Sequence, residues 1–251
     1  MIFLYLFSYF YHIKYFTMKN YSIYSILLFI LLYGCKTNYI APSLQVPLLK
    51  EAGELQLYSG TGADGLFLNG TYAVSQHMGI MTGINLYKYS PYDEMDLFEY
   101  TENIVGTLGG GYFNRIGNGE SWLNYYDVYA GARMGQGPAI FPYKLYADTI
   151  MTAPVLQFFI QPSIGHRDDE TDMAFTLRYV NHVLNYTTPE NYVEPLFTFK
   201  FGYKQLKLIS QLGMSFYLGT RYSDRYSGFQ YSLLHFNFGL QWDIFTRRHH
   251  Q

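Results

Sequence analysis

The sequence predicts an all-β fold: an antiparallel up-and-down transmembrane β-barrel of about ten strands, with eight strands as the alternative. Three observations predict it. The chain contains 28 Tyr, 20 Phe and 23 Gly residues, which suit strands and the close contacts of a barrel wall. Apolar and polar residues alternate with a period of two over most of the chain beyond residue 53. The sequence has one long apolar run, before Cys35, whereas a bundle of membrane-spanning helices needs several such runs.

Length and charge narrow the class of protein further. The 251 residues fit one barrel after a leader is removed. The formal net charge is −2 and 14% of the residues are charged, so no basic stripe is available to neutralise nucleic-acid phosphates. Nucleic acid is therefore excluded as a partner, and no motif points to a cofactor.

The chain begins with a targeting region. Met18 opens a complete leader by itself, so residues 1–17 are expected to be a wrongly assigned N-terminal extension. Residues 18–34 combine a basic start at Lys19, a short apolar stretch and a small residue at the end. This is the pattern of a secretory signal peptide, too short for a comfortable transmembrane helix.

The single cysteine, Cys35, follows that leader directly. Leu32, Tyr33, Gly34 and Cys35 resemble the lipobox of bacterial lipoproteins. The resemblance implies that Cys35 is acylated and becomes the new N-terminus, anchored in a membrane by its acyl chains. The alternatives are a secreted protein with a chance cysteine and, less favoured, a catalytic thiol. With Cys35 modified, the mature chain has no thiol for a disulfide.

The rest of the chain divides into a tether, a barrel and a tail. Residues 35–53 contain prolines without periodicity and predict a lipid-anchored tether, residues 54–246 form the barrel, and residues 247–251 are a polar tail. Period-two alternation predicts strands over ten ranges. These are 54–62, 66–76, 78–90, 103–115, 122–134, 153–165, 172–184, 194–204, 206–218 and 229–245. Eleven residues at about 3.3 Å each, tilted by about 40°, span roughly 27 Å, the apolar thickness of an outer membrane.

Short and long connections alternate between these strands. Short turns are expected near residues 76–77, 117–120, 166–170 and 204–205, with longer loops over 90–103, 135–152, 185–193 and 219–228. An up-and-down barrel with short periplasmic turns and longer outer loops shows this rhythm. Residues 35–251 therefore resemble small Gram-negative outer-membrane β-barrel lipoproteins. The resemblance implies a bacterial outer-membrane location, with a lipid-anchored protein at the periplasmic face as the alternative.

The polar faces of the strands carry charges that would lie in the lumen. A narrow lumen tolerates charges when they are paired and hydrogen-bonded. The sequence thus predicts a polar lumen network and no metal site. Its expected members are Glu54, Asp127, Arg133, Arg178, Lys200, His235 and Asp243.

Three functions remain open at this point. The first is a monomeric barrel in the outer-membrane bilayer, structural or interactive, meeting an extracellular ligand or protein through its loops. The second is a barrel enzyme acting on lipid or peptide, with His182, His235 or the acidic loop residues Asp93, Glu94 and Asp96 as candidates. These candidates form no local motif, so no enzymatic activity is expected. The third is a periplasmic lipoprotein with a soluble, lipocalin-like ligand-binding barrel.

Overall fold

The computed structural model describes residues 43, 45–62, 65–89, 101–116, 122–141, 149–184, 189–203, 205–218 and 231–245. The leader, Cys35, the acidic loop with Asp93, Glu94 and Asp96, and the tail from residue 246 lie outside the described residues. Among the described residues, no helix has the length and apolar character that a membrane crossing requires.

Ten strands form one closed antiparallel barrel, in which each strand pairs with its neighbours in sequence and β1 pairs with β10. The fold class and the count of ten strands are confirmed. The strands are β1 (Glu54–Gly62), β2 (Gly65–Ala73), β3 (Met78–Tyr89), β4 (Thr101–Arg115), β5 (Tyr125–Phe141), β6 (Thr149–Arg167), β7 (Thr171–Leu184), β8 (Glu190–Tyr203), β9 (Leu206–Tyr217) and β10 (Tyr231–Phe245).

The strand bounds differ most from the prediction at the hairpin of β5 and β6. The sequence predicted a loop over residues 135–152, but β5 continues to Phe141 and β6 begins at Thr149. Gly135 and Pro138 lie in this stretch. Pairing between β4 and β5 stops at Gly135, while Pro138 pairs with Thr152 of β6, so the proline occurs where the strand is paired on one side, as is usual for proline in sheets.

The two ends of the barrel differ. The turn end is where β1 begins, β10 ends and connections join β2 to β3, β4 to β5, β6 to β7 and β8 to β9, all of them short except the one from β4 to β5. The loop end is opposite, where residues 90–100 connect β3 to β4 and residues 218–230 connect β9 to β10. The first hairpin is the exception at the loop end, because only residues 63–64 separate β1 from β2.

The two faces of the wall separate by polarity as the alternation predicts. In β9, Lys207, Gln211 and Ser215 face the lumen and are buried, while Leu208 and Leu212 face outward and are exposed. The same division holds along β10, where Asn237 and Gln241 are buried and Trp242 is exposed. The barrel is therefore polar inside and apolar outside, the reverse of a soluble barrel.

The seam that closes the barrel depends on two facing glycines. Gly60 of β1 pairs with Gly239 of β10. A Cβ atom on Gly60 would lie 2.1 Å from the Phe238 carbonyl oxygen and 2.7 Å from the Cα of Gly239. The absence of side chains at both positions lets these strands approach closely enough to complete the sheet.

Candidate functional site in the barrel lumen

Residues 45–50 lie inside the lumen, in the half nearest the turn end. Val46, Leu48 and Leu49 are no more than 1% exposed, and residues 45–50 have no regular secondary structure. The sequence predicted that this stretch belongs to a tether, and it did not predict that the stretch fills the barrel. We call residues 45–50 the lumen segment.

The wall holds the lumen segment mainly through the backbone. Lys200 Nζ donates to the Val46 carbonyl at 2.6 Å, and Gln161 Nε2 donates to the Gln45 carbonyl at 2.7 Å. Further hydrogen bonds connect the segment, and Ser43 two residues before it, to the wall. They join the Leu48 carbonyl to Arg167, the Leu48 amide to Asp127, the Lys50 amide to Glu54, and Ser43 to Asn85. Because the wall supplies donors and acceptors along the segment, its backbone polar groups can be buried without the usual cost.

Arg167 is the centre of the charged network at the turn end. Its guanidinium contacts Glu54 Oε1 at 2.6 Å and Asp243 Oδ2 at 2.8 Å, and its Nε lies 3.9 Å from Asp172 Oδ1. The Arg167 side chain is 1% exposed. The same guanidinium also donates to the Leu48 carbonyl at 2.7 Å. Arg167 therefore ties β1, β7, β10 and the lumen segment together.

The other buried charges of this region are also paired or hydrogen-bonded. Lys207 Nζ lies 2.7 Å from Asp172 Oδ1 and donates to the Asp168 carbonyl at 3.0 Å. Lys200 donates to Val46 and lies 3.1 Å from the Tyr58 hydroxyl. With Arg167, these lysines place three cations among the carboxylates of Glu54, Asp127, Asp172 and Asp243. Such compensation allows ionised groups inside a narrow barrel.

A cavity of about 390 Å³ opens next to this network at the turn end, lined by Lys50, Arg167, Asp168, Asp169, Gln205, Lys207 and Asp243. Asp168 lies in the turn between β6 and β7. Partial burial raises its pKa, but hydrogen bonds donated by the Thr171 and Glu170 amides outweigh this and leave the pKa below its ordinary value. The mouth of the cavity is therefore charged at neutral pH, and it connects the lumen segment to the surroundings.

A second cluster lies nearer the loop end and contains a hydroxyl, an imidazole and a carboxylate. Ser215 Oγ donates to Glu194 Oε1 at 2.9 Å and lies 3.0 Å from His235 Nε2. Arg178 Nε donates to Glu194 Oε2 at 2.6 Å. A one-residue shift in the pairing of β9 and β10 occurs between Ser232 and His235. Such bulges redirect side chains, and here the bulge lies beside the imidazole.

A third cluster surrounds Arg133. Its guanidinium donates to Gln157 at 2.8 Å and to Asn85 at 3.2 Å. Gln157 Nε2 in turn lies 2.7 Å from His182 Nδ1. His182 is thus part of a wall network on β6 and β7. Among the described residues, no group of three or more His, Cys, Asp or Glu side chains is placed to hold a metal ion.

The residues expected in the lumen divide among these clusters. Glu54, Asp127, Arg133, Arg178, Lys200, His235 and Asp243 all point inward, and none is more than 6% exposed. The contacts of the described residues assign them to different clusters: Asp243 contacts Arg167, and His235 contacts Ser215. Sequence reasoning missed Arg167, which was assigned to a turn. Extending the inward positions of β6 by two residues from Gly165 would have found it.

Comparisons with known proteins show a similarity of fold to solved structures and nothing further. No protein-family model and no curated protein matches the chain. One similar solved structure is the outer membrane protease OmpT from Escherichia coli, with a TM-score of 0.34, 10% sequence identity, 77% of this chain covered and 94% of that chain covered. At that TM-score the likeness carries no argument about activity. The chain's own barrel, polar inside and apolar outside, is of the outer-membrane type.

The expectation that the chain has no enzymatic activity is corrected. The similar solved structure is that of a protease. The argument from sequence fails because it relied on the lack of a local motif. His235 meets a serine and a carboxylate that come from other strands, Ser215 and Glu194.

Proposed function

We propose that the chain is a lipid-anchored protein of the bacterial outer membrane, inserted in the bilayer as a monomer, that meets a ligand or protein at the cell surface through its loop end. The observation that carries this proposal is the apolar outer face of the barrel. The lipid anchor rests on the lipobox pattern at Leu32 to Cys35.

Large, exposed apolar side chains cover the outer face on strands β2 to β10. Soluble monomers rarely expose contiguous apolar patches above a few hundred Å², whereas a bilayer favours such a band. Those that are 42% to 69% exposed include Leu66, Leu68, Ile80, Ile84, Leu86, Ile104, Leu108, Met134, Phe158, Ile160, Phe175, Leu177, Phe197, Phe201, Leu206, Leu208, Leu212, Phe236, Phe238, Leu240 and Trp242. The periplasmic, lipocalin-like alternative requires the opposite orientation, so it loses its support.

The filled lumen favours a role at the ends of the barrel over passive conduction. The lumen segment occupies the turn-end half, and Tyr129, Phe159 and Tyr192 pack together in the half above it. Ten strands enclose a narrow interior in any case. The two longest connections, residues 90–100 and 218–230, join strands at the loop end, which supports a surface contact there.

Removal of the acylated thiol tests both parts of the proposal. We expect a Cys35→Ser variant to lose incorporation of labelled palmitate, yet to need detergent for extraction and to keep heat-dependent gel mobility, because the strands themselves hold it in the bilayer. Release of the variant as a soluble protein would contradict insertion. Undiminished palmitate labelling would contradict the anchor. A Cys35→Ser, Ser75→Cys variant, which has its single thiol in the exposed turn between β2 and β3, controls for labelling of any accessible thiol.

One observation favours a second candidate, a barrel hydrolase. In the Ser215 cluster, the hydroxyl lies 3.0 Å from the His235 imidazole, the reach that a general base needs to activate a serine nucleophile. For this step the Ser215 hydroxyl would first turn its proton from Glu194 to His235 Nε2. His235 would then take the proton as Ser215 Oγ bonds to an acyl carbonyl carbon, and would return it to the leaving group as the bond between that group and the carbonyl carbon breaks. Water, activated by His235 in the same way, would release the acyl group from Ser215, while Arg178 holds Glu194 in place.

A serine-directed fluorophosphonate probe distinguishes this candidate from a purely structural cluster. If Ser215 is a nucleophile, the detergent-solubilised protein should be labelled, and Ser215→Ala or His235→Gln should reduce labelling at least about 100-fold while heat-dependent mobility persists. Ser163→Ala is the matched control, because Ser163 is also buried in the lumen and accepts a hydrogen bond from Thr176. Equal labelling of Ser215→Ala and the parent protein would rule out catalysis by Ser215.

A further inference from the structure

We infer that the turn-end half of the lumen is a binding site for an extended polypeptide segment with branched apolar side chains, filled here by the chain's own residues 45–50. The occupant can be withdrawn, and a segment of the same chemistry can bind in its place. Four observations support this inference.

First, the wall recognises the backbone of the lumen segment more than its side chains. The carbonyls of Gln45, Val46 and Leu48 accept hydrogen bonds from wall side chains, and the amides of Leu48 and Lys50 donate to wall carboxylates. Hydrogen bonds that involve the segment's side chains are fewer. One of them joins the side-chain amide of Gln45 to the Thr71 hydroxyl. Backbone recognition with pockets for particular side chains is how proteins bind extended peptides.

Second, the wall provides shaped pockets for the apolar side chains. Val46 and Leu48 pack with Tyr125, Ala174 and Leu196. Leu49 packs with Ala73 and Phe113, beside Gly79, where an added Cβ would lie 2.8 Å from Leu49 Cδ1. Small wall residues thus stand where the segment's branched side chains enter, the complementarity expected of a binding site.

Third, the wall holds the segment in a strained conformation. Leu48 has φ of 47°, in the left-handed region that residues other than glycine rarely adopt. Such a conformation persists only where the surroundings impose it. Arg167 on the Leu48 carbonyl and Asp127 on the Leu48 amide impose it here. The wall therefore supplies binding energy beyond what an unstrained segment would need.

Fourth, the barrel does not depend on the segment for closure, and a path leads to the site. Each of the ten strands pairs with its two neighbours in the barrel. β1 pairs with β10 without any contribution from residues 45–50. Residues 51–53 connect the segment to β1, and the cavity of about 390 Å³ opens beside Lys50 at the turn end. A segment could leave or enter there while the wall stays closed.

Cutting the chain between the lumen segment and β1 makes the segment a separate peptide that can dissociate from the barrel. A protease recognition sequence is inserted between Glu51 and Ala52 of the full chain, the protein is folded in detergent, and the site is then cut. We expect the N-terminal fragment to stay bound and then to exchange with an excess of a fluorescent synthetic peptide of residues 43–51. A peptide with aspartate in place of Leu48 and Leu49 should fail to displace the fragment.

The outcomes separate a binding site from an ordinary core. Exchange that is specific for the apolar peptide supports the inference, and Lys200→Met should then weaken binding about tenfold or more because a charged hydrogen bond to Val46 is lost. Loss of the fragment without peptide binding overturns the inference, as does a fragment that never exchanges. If the insertion prevents folding, binding is measured on a Leu48→Ser, Leu49→Ser variant, whose own segment is weakened, and no binding there overturns it equally.

Discussion

Replacing Arg167 with methionine should lower the free energy of unfolding of the barrel by about 3–5 kcal/mol, the cost of removing one partner from a buried ion-pair network. Methionine keeps much of the volume of arginine but carries no charge. Glu54 and Asp243 would then be buried carboxylates without the cation that lies 2.6 Å and 2.8 Å from them in the native protein. The Leu48 carbonyl would also lose the hydrogen bond that Arg167 donates.

Urea unfolding in phospholipid vesicles, followed by tryptophan fluorescence, measures this effect. Arg115→Met is the matched control, because Arg115 is exposed at the rim and contacts the Tyr125 ring at 5.5 Å. That change should cost at most about 1 kcal/mol. Unchanged stability in Arg167→Met would show that the Arg167 cluster does not hold the turn end together.

A variant in which the Arg167 cluster is neutral shows whether Arg167→Met loses stability through uncompensated charges or through lost packing. Adding Glu54→Gln and Asp243→Asn to Arg167→Met removes both uncompensated carboxylates. We expect the triple variant to be more stable than Arg167→Met alone, since polar neutral groups cost less to bury than unpaired charges. A triple variant less stable than Arg167→Met would contradict the electrostatic explanation.

The alternation of apolar and polar residues predicted the strands of the barrel wall, because the two faces of each strand meet different surroundings. The alternation of Leu234 to Ile244 with polar neighbours is sufficient to identify β10 and its inward positions. Strand ends were less predictable where glycine and proline occur within paired segments. Pro138 lies in β5 beyond the point where pairing with β4 ends, and it pairs with β6, a feature of the register that the sequence does not show.

The lumen segment and its contacts could not be predicted in the same way. Residues 45–50 have no periodicity, and the wall binds their backbone, which is the same in every residue type. The pairing of Arg167 with Glu54 joins positions 113 residues apart, which is 167 − 54, on strands β6 and β1. The approach of Ser215 to His235 depends on the register and bulge between β9 and β10. Such contacts form only when the closed barrel brings strands together that are distant in sequence. The local residue pattern does not specify which residues then meet.

Replacing Leu212 with arginine should cost about 2–4 kcal/mol of unfolding free energy in a bilayer, the cost of an arginine on the lipid face at the membrane midplane. Leu212 lies near the middle of β9, is 42% exposed on the outer face, and pairs with Phe197 and Phe236. An arginine there would have apolar side chains and lipid around it, with no wall carboxylate on the outer face of the neighbouring positions.

Leu218→Arg provides the matched control on the same side of the barrel. Leu218 directly follows β9 and is 52% exposed. Its side chain lies at the edge of the apolar band, where an arginine can reach the interface and should cost about 0–1 kcal/mol. The two variants introduce the same charge into the same chain, so depth in the membrane is what differs between them.

The difference between the two variants tests insertion itself. Exposed positions of a soluble barrel would accept arginine within about 0.5 kcal/mol at either site, because water solvates the guanidinium equally well at both. Urea unfolding in phospholipid vesicles should therefore show a clear gap between Leu212→Arg and Leu218→Arg. Equal stability of the two would mean that β9 faces water along its whole length, which would contradict an inserted barrel whatever the state of Cys35.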